Sequence, residues 1–344
     1  MHLGGIFVDQ EVRAEENHYF ATKRDPKTDD LRYLMSGRCA IDLVLQDLLH
    51  KHPEVKTCLL PAYTCETVVA PFIKEGFRIT YYDLDDQLRP LPPSPEEAQV
   101  DVVLLCHYFG FQTYDDAFLK SVLLHHPVVI EDATHNLFSE AGFEAHAHYV
   151  AGSFRKWCAI SCGGFALVRQ DRFQIEPTPI NEEHLRLRQQ IAKDYKREPQ
   201  KGEARFWEAE LQLRSVFGAQ ASDDESIDLI HHLPLSLIKE KRRANYQAYL
   251  DNWQAPALTP LFPTLPDGIV PSHFPLRCRD RNALKATLLE RGIRASLFWP
   301  RHPGMDTSRL SCDCLYDQLL CLPCDQRMDE ADVRYICASC RDLA

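Results

Sequence analysis

The stretch from Pro127 to Arg169 decides the interpretation of this chain; it reads PVVIEDATHNLFSEAGFEAHAHYVAGSFRKWCAISCGGFALVR. An apolar run, Val128 to Ile130, ends at the acidic pair Glu131-Asp132, and a second apolar stretch is followed by Lys156. Each run has the length and composition of a buried strand. An aspartate at the end of one such strand and a lysine just past the next can converge on one bound ring.

That pair of residues indicates a particular chemistry. A protonated pyridine nitrogen needs a fixed carboxylate beside it, and an aldehyde needs a lysine amine to form a Schiff base. Asp132 and Lys156 therefore favour pyridoxal 5'-phosphate as the cofactor, with Asp132 at the ring nitrogen and Lys156 at the aldehyde. Glu131 is the competitor for the first role.

The surrounding chain alternates apolar runs with helical patterns. Strands are predicted at 56–60, 77–82, 102–106 and 128–130, and helices after Ser36 and over 66–75. Such alternation predicts an α/β fold with a mostly parallel sheet and helices on both faces, whose ligands sit at the carboxyl ends of the strands. Charged helices are predicted at 183–195 and 203–216, and a long amphipathic helix at 235–252. We expect a large α/β domain over 1–235 and a small α+β domain over 236–344.

Composition narrows the class of protein. The chain has 344 residues, 45% of them hydrophobic, with a net charge of −11 and 13 cysteines. The charge argues against nucleic acid or an anionic membrane surface as partners. No apolar run of membrane-spanning length and no secretory signal pattern is present, so the sequence predicts a cytoplasmic protein with reduced thiols.

The motifs together resemble the DegT/DnrJ/StrS family of pyridoxal-phosphate-dependent aminotransferases, known for amino-sugar biosynthesis. The resemblance is strongest from residue 31 to 168 and rests on the stretch quoted above and on four shorter segments: Leu34–Ala40, Leu60–Cys65, Leu320–Pro323 and Met328–Val333. It implies that an amino-acid donor, with glutamate as the candidate, passes its amino group to a keto acceptor, by resemblance a keto-sugar. It also implies a homodimer.

The resemblance assigns further site residues. His135 lies at the family's His/Gln position, where the side chain contacts the ring hydroxyl of the cofactor. The cofactor's phosphate is expected on the start of the helix at Gly37, Arg38 and Cys39, because free N–H groups and the helix dipole favour an anion. Ser153 would add a hydroxyl.

The residue that packs on the cofactor ring stays open. Family members carry an aromatic residue where this chain has Cys65, so Tyr63, His107 and Tyr108 are further candidates. The family's loop that reaches the partner subunit is also missing, and residues 218–228 take its place. A homodimer is still expected, because residues 171–225 are too charged to form a dry second wall for the site. Arg38, Arg155, Arg294 and Arg301 are candidates for binding anions on charge alone.

Alternatives from other classes remain at this point. One is another pyridoxal-phosphate reaction such as elimination, and another is a non-catalytic binding or regulatory protein with the same fold. The spacing of Cys321, Cys324, Cys337 and Cys340 resembles a zinc site, but we expect free thiols and no metal, since two of the four fall in the family's L-P segment.

Overall fold

The computed structural model describes residues 3–8, 13–301, 305, 307–341 and 343. Its strands are β1 Leu3–Gly4, β2 Asp30–Leu34, β3 Thr57–Pro61, β4 Arg78–Tyr82, β5 Val102–Cys106, β6 Val128–Asp132, β7 Tyr149–Ser153, β8 Gly164–Val168, β9 Thr259–Pro260, β10 His273–Arg277, β11 Ile293–Arg294 and β12 Leu319–Pro323.

The helices are α1 Tyr19–Lys23, α2 Gly37–Lys51, α3 Glu66–Lys74, α4 Asp116–Val122, α5 Glu182–Arg197, α6 Pro199–Val216, α7 Asp224–His231, α8 Leu235–Asn252, α9 Arg281–Glu290, α10 Leu315–Gln318 and α11 Glu330–Arg341. Short 3-10 turns cover Ala133–His135, Phe154–Lys156 and Ser311–Cys314.

The large sheet places the ends of several strands at one edge. Its seven described strands lie in the order β2-β8-β7-β6-β5-β3-β4, and β8 alone pairs antiparallel, with β2 and β7. The carboxyl ends of the other six strands therefore meet at one edge, where the start of α2 and the residues after β6 and β7 also lie. The predicted fold class is confirmed.

Side chains alternate across this sheet, so both of its faces are buried. Leu59, Val103 and Leu105 belong to the hydrophobic cluster on one face, and Leu60 and Leu104 to the cluster on the other. The helices α2 and α3 pack on the second face. This double burial explains the near-continuous apolar runs in the sequence.

A smaller sheet in the C-terminal part has the order β12-β10-β9, with antiparallel pairing, and α8 and α11 pack beside it. The first hydrophobic cluster continues from the large sheet into this part, since it includes both Leu59 and Leu320. The boundary between residues 235 and 236 stays a prediction.

The four cysteines whose spacing resembles a zinc site lie in β12 (Cys321), directly after it (Cys324) and in α11 (Cys337 and Cys340). All four are buried and unpaired, and burial raises the pKa of the Cys340 thiol to about 12. Within the described residues, no group of three or more His, Cys, Asp or Glu side chains is arranged to hold a metal. Among all the residues that the structure describes, no helix is long and apolar enough to cross a membrane.

Candidate active site

A cavity of about 220 Å³ lies at the carboxyl edge of the large sheet. Asp132, Lys156 and Ser153, each predicted from the sequence, line it. The strand register explains why: β6 lies between β5 and β7, with Asp132 opposite Cys106 on one side and Ala151 on the other. Residues that end neighbouring parallel strands are thereby brought together.

Lys156 ends a 3-10 turn directly after β7, and its amine faces polar and aromatic groups. Its Nζ lies 3.0 Å from His135 Nε2, and 5.3 Å from the centre of the Trp299 ring. His135 is buried, and burial, with smaller contributions from the charges of Lys156 and His273, lowers its pKa well below the ordinary value. His135 is therefore neutral at neutral pH and offers Lys156 an uncharged hydrogen-bonding partner.

The turn that carries Lys156 is held in place by α8 and by the segment that follows β12. The carbonyl oxygen of Trp157 accepts hydrogen bonds from Arg242 Nη2 on α8 (3.2 Å) and from Gln326 Nε2 (2.8 Å). Arg242 is fully buried and stacks on the Trp157 ring. These contacts hold the backbone beside Lys156 against the rest of the protein.

The two acidic side chains at the end of β6 point in different directions. Asp132 lines the cavity, and its Oδ1 accepts a hydrogen bond from Thr134 N at 3.0 Å. Glu131 points the other way, is 1% exposed, and accepts hydrogen bonds from Asn136 Nδ2 (3.3 Å) and Glu144 N (2.7 Å). Of the two carboxylates, Asp132 is the one placed to meet a ring bound in the cavity.

The start of α2 forms one end of the cavity. Ser36 caps the helix by accepting a hydrogen bond from Cys39 N at 3.3 Å, while Gly37 and Arg38 line the cavity. A Cβ atom on Gly37 would lie 3.2 Å from Ser153 Cβ, which is tighter than an ordinary contact, so the glycine leaves more room in this corner than another residue would. The structure does not bring Cys39 to the cavity, because its N–H is taken by the cap and its thiol contacts Gln220.

Of the candidates for packing on a ring, Cys65, His107 and Tyr108 line the cavity. Tyr63 does not line it; it is buried against Tyr316, with 4.8 Å between ring centres. His107 stacks on Tyr114 at 4.0 Å, and burial lowers the pKa of its imidazole to about 4. His107 is thus a neutral, fixed ring at the cavity wall.

Helices α5 and α6 form an antiparallel pair, here called the helical hairpin, that supplies a second wall. Arg188 of α5 and Phe206, Glu210 and Leu213 of α6 line the cavity. The expectation that 171–225 is too charged for this role is therefore wrong. The charges are paired with one another: Arg188 Nη1 donates to Glu210 Oε1 at 3.1 Å, and Arg155 Nη2 donates to the same oxygen.

Sequence reasoning missed the hairpin residues and Trp299, which also lines the cavity. No local signal marks Arg188 and Glu210 as partners, since 22 residues separate them. Of the four arginines proposed on charge alone, Arg38 and Arg155 line the cavity. Arg294 lines a small polar cavity on another side of Lys156, and Arg301 instead pairs with Asp313 and Asp317.

The residues present fit pyridoxal phosphate. A lysine amine and a carboxylate share one cavity, and a glycine keeps the corner beside a helix N-terminus open. At that end, Arg38 Nε is buried without a hydrogen-bond partner among the described residues. Lys156 would hold the aldehyde, Asp132 the ring nitrogen, and Gly37, Arg38 and Ser153 the phosphate.

Comparison with known proteins places the fold. No family model and no curated protein matches the chain. The structure of the sugar aminotransferase CalS13 from Micromonospora echinospora matches with a TM-score of 0.63 at 16% identity, over 96% of this chain and 94% of that one. A DegT DnrJ EryC1 StrS aminotransferase from Brucella abortus matches with a TM-score of 0.64 at 16% identity, over 96% and 91%.

A third similar structure is named for its cofactor form. Spr1654 from Streptococcus pneumoniae, in its PLP form, matches with a TM-score of 0.62 at 13% identity, over 97% of this chain and 98% of its own. A PMP form of the same protein also matches. This chain therefore has the fold of the DegT/DnrJ/EryC1/StrS sugar aminotransferases, as its motifs suggest.

Proposed function

We propose that this protein is a pyridoxal-phosphate-dependent aminotransferase. The observation that carries the proposal is that Lys156, Asp132 and the open corner at Gly37 line one cavity at the strand edge of this fold. When bound there, the cofactor supplies an electron-accepting ring that stabilises negative charge at a carbon of the substrate. The similar sugar aminotransferases support amino transfer to a keto acceptor, with a keto-sugar as the candidate.

The protein's own residues have separate tasks in this reaction. Lys156 Nζ takes the proton from the α-carbon of the amino-acid donor, for which glutamate is the candidate. Neutral His135 orients Lys156 through the 3.0 Å contact. Asp132 holds a proton on the ring nitrogen, and Trp299 and the helical hairpin keep water from the cavity.

A homodimer in the cytoplasm is part of the proposal. Two large apolar side chains one turn apart on α6, Trp207 and Leu211, are 60% and 59% exposed and are candidate contacts with a second copy. None of the thirteen cysteines, all of which lie in the described residues, forms a disulfide, as suits a reducing compartment. Neither nucleic acid nor a membrane is proposed as a partner, in line with the net charge of −11.

The test is to locate the cofactor on the chain. Purified protein mixed with pyridoxal phosphate is reduced with borohydride and digested, and mass spectrometry identifies the modified peptide. We expect the pyridoxyl group on Lys156, none on the Lys156→Ala variant, and transfer of the amino group from glutamate by the unreduced protein. Labelling of a different lysine, or no labelling, would overturn the proposal.

A further inference from the structure

Four charged side chains of the cavity wall form a group, here called the arginine cluster: Arg38, Arg155, Arg188 and Glu210. All four line the cavity. Arg38 is 6% exposed, and the side chains of Arg155 and Arg188 are 12% and 10% exposed. Burial this deep is unusual for guanidinium groups, which are normally solvated or paired.

The cluster carries more positive than negative charge. Three guanidinium groups face one carboxylate, so the net charge is three minus one, or two positive. Glu210 pairs with Arg155 and Arg188 through one oxygen, whereas Arg38 lies over the Phe217 ring and forms no ion pair within the described residues, so Glu210 affects it only at longer range. The Nε atoms of Arg38, Arg155 and Arg188 are all buried without a hydrogen-bond partner within the described residues. Arginines outside the cavity share the unpartnered Nε, so it is the uncompensated buried charge that indicates an anionic ligand.

The ligand's charge can be matched to the cluster. A phosphate monoester carries about −1.5 to −2 at neutral pH and three acceptor oxygens, whereas a carboxylate carries one negative charge. Of these two groups, the phosphate is the one whose charge matches that of the cluster. Gly37 and Ser153 lie in the same cavity, so the helix N-terminus adds N–H groups to the guanidinium donors.

We propose that Arg188, brought to the cavity by the helical hairpin of the same chain, is a phosphate-binding residue and that Glu210 is its positioning residue. The phosphate is that of the cofactor, or one carried by the substrate. The identity of the ligand rests on the proposed function, but the existence of the anion site does not.

The surroundings of Arg188 keep its guanidinium charged and restrict its position. Burial, followed by the charge of Arg155, lowers the pKa of Arg188 to about 9, so its guanidinium stays charged at neutral pH. Burial would raise the pKa of Glu210, but Arg155 and Arg188 outweigh it and hold that pKa at about 2. Arg188 also lies over the Phe206 ring at 5.3 Å. The pairing and the ring contact both restrict the guanidinium before a ligand arrives.

The experiment compares ligands with and without a phosphate. Cofactor-free protein is titrated with pyridoxal 5'-phosphate, with pyridoxal and with inorganic phosphate, and binding is followed by protein fluorescence. Arg188→Gln should weaken binding of pyridoxal 5'-phosphate and of inorganic phosphate by roughly tenfold to a hundredfold, because it removes charge-assisted hydrogen bonds. Affinity for pyridoxal should not change.

The matched control is Arg186→Gln, which removes an exposed arginine two residues away on the same helix. It should leave all three affinities unchanged. If Arg188→Gln does not fold, Arg188→Lys serves instead, because it keeps the charge but loses the planar fork, and it should weaken phosphate binding by a smaller factor.

The outcomes separate the two sources of phosphate. Loss of affinity for both pyridoxal 5'-phosphate and inorganic phosphate assigns the site to the cofactor. Loss for inorganic phosphate alone assigns it to a phosphorylated substrate. Equal weakening of pyridoxal and pyridoxal 5'-phosphate, or no change in phosphate binding, would overturn the proposal. If phosphate binding depends on Arg188 but no cofactor becomes attached to Lys156, the proposed function fails and the anion site stands.

Discussion

At the scale of single residues, the two neighbouring carboxylates of β6 are expected to have different effects on turnover. Asp132→Asn should lower kcat on the order of a hundredfold or more, about 3 kcal/mol, because an amide no longer stabilises the protonated ring nitrogen. Glu131 does not line the cavity, so Glu131→Gln should change kcat by much less. Steady-state kinetics of both variants test this, and a larger loss for Glu131→Gln would reverse the assignment.

Glu131 should instead influence stability in a pH-dependent way. Burial raises its pKa from 4.5 to about 7, so the folded state prefers the protonated carboxyl. The stabilisation is fully present below the unfolded pKa and is lost as pH rises through about 7. The free energy of unfolding of wild type, relative to Glu131→Gln, should fall by about 3 kcal/mol between about pH 4 and pH 8.

The measurement is denaturant unfolding of cofactor-free wild type and variant across that pH range. Comparing the two removes the contributions of the buried histidines, which are common to both proteins. A constant difference between wild type and variant over the whole range would contradict the expectation.

At the scale of elements, the helical hairpin depends on one glycine. A Cβ atom on Gly202 would lie 2.4 Å from Tyr195 Cα, so α5 and α6 can approach this closely only without a side chain there. Gly202→Ala should force the helices apart and destabilise the protein by about 1–3 kcal/mol, despite alanine's better helix propensity. It should also weaken phosphate binding, because Arg188 and Glu210 are carried by the two separated helices.

Gly218→Ala is the control for this prediction. The nearest atom to a Cβ at Gly218 is 3.5 Å away and belongs to the Gln220 side chain, so the substitution is accommodated. Thermal unfolding and the phosphate titration are the two measurements. Equal behaviour of the two alanine variants would show that the close helix contact is unimportant.

At the scale of the whole molecule, the protein is expected to be a homodimer. Light scattering should give the mass of two 39.6 kDa chains. Replacing Trp207 and Leu211 together by serine should shift the equilibrium toward single chains, because their exposed apolar surface would no longer be buried by the partner. Active protein with the mass of one chain would contradict the dimer.

In a homodimer, the second wall of each site comes either from the same chain as Lys156 or from the partner chain. If Arg188 acts within its own chain, mixing Lys156→Ala and Arg188→Gln proteins should restore no turnover. In a mixed dimer each site would then still carry one defect. Recovery toward a quarter of wild-type turnover after mixing would place Arg188 in the partner's site instead.

The sequence predicted the elements around the cavity because their signals are local. The apolar runs before Asp132 and Lys156 lie where β6 and β7 form, and Ser36 caps α2 as expected. The predicted helix over 235–252 is found with the same bounds. The alternation of apolar residues in strands, the helix caps and the glycine positions each depend on a few neighbouring residues. They can therefore be recognised without knowledge of tertiary contacts.

The sequence by itself thus determined the α/β fold and the grouping of Asp132, His135 and Lys156 at one sheet edge, since parallel strands bring their ends together. Only the tertiary structure decided that Glu131 faces away from the cavity, that Tyr63 lies in the core, and that Arg188 and Glu210 close the site. The physical reason is that the sequence of 171–225 shows only that the segment is charged. The contacts that bring Arg188 and Glu210 to the cavity join residues distant in sequence, and those contacts exist only after folding.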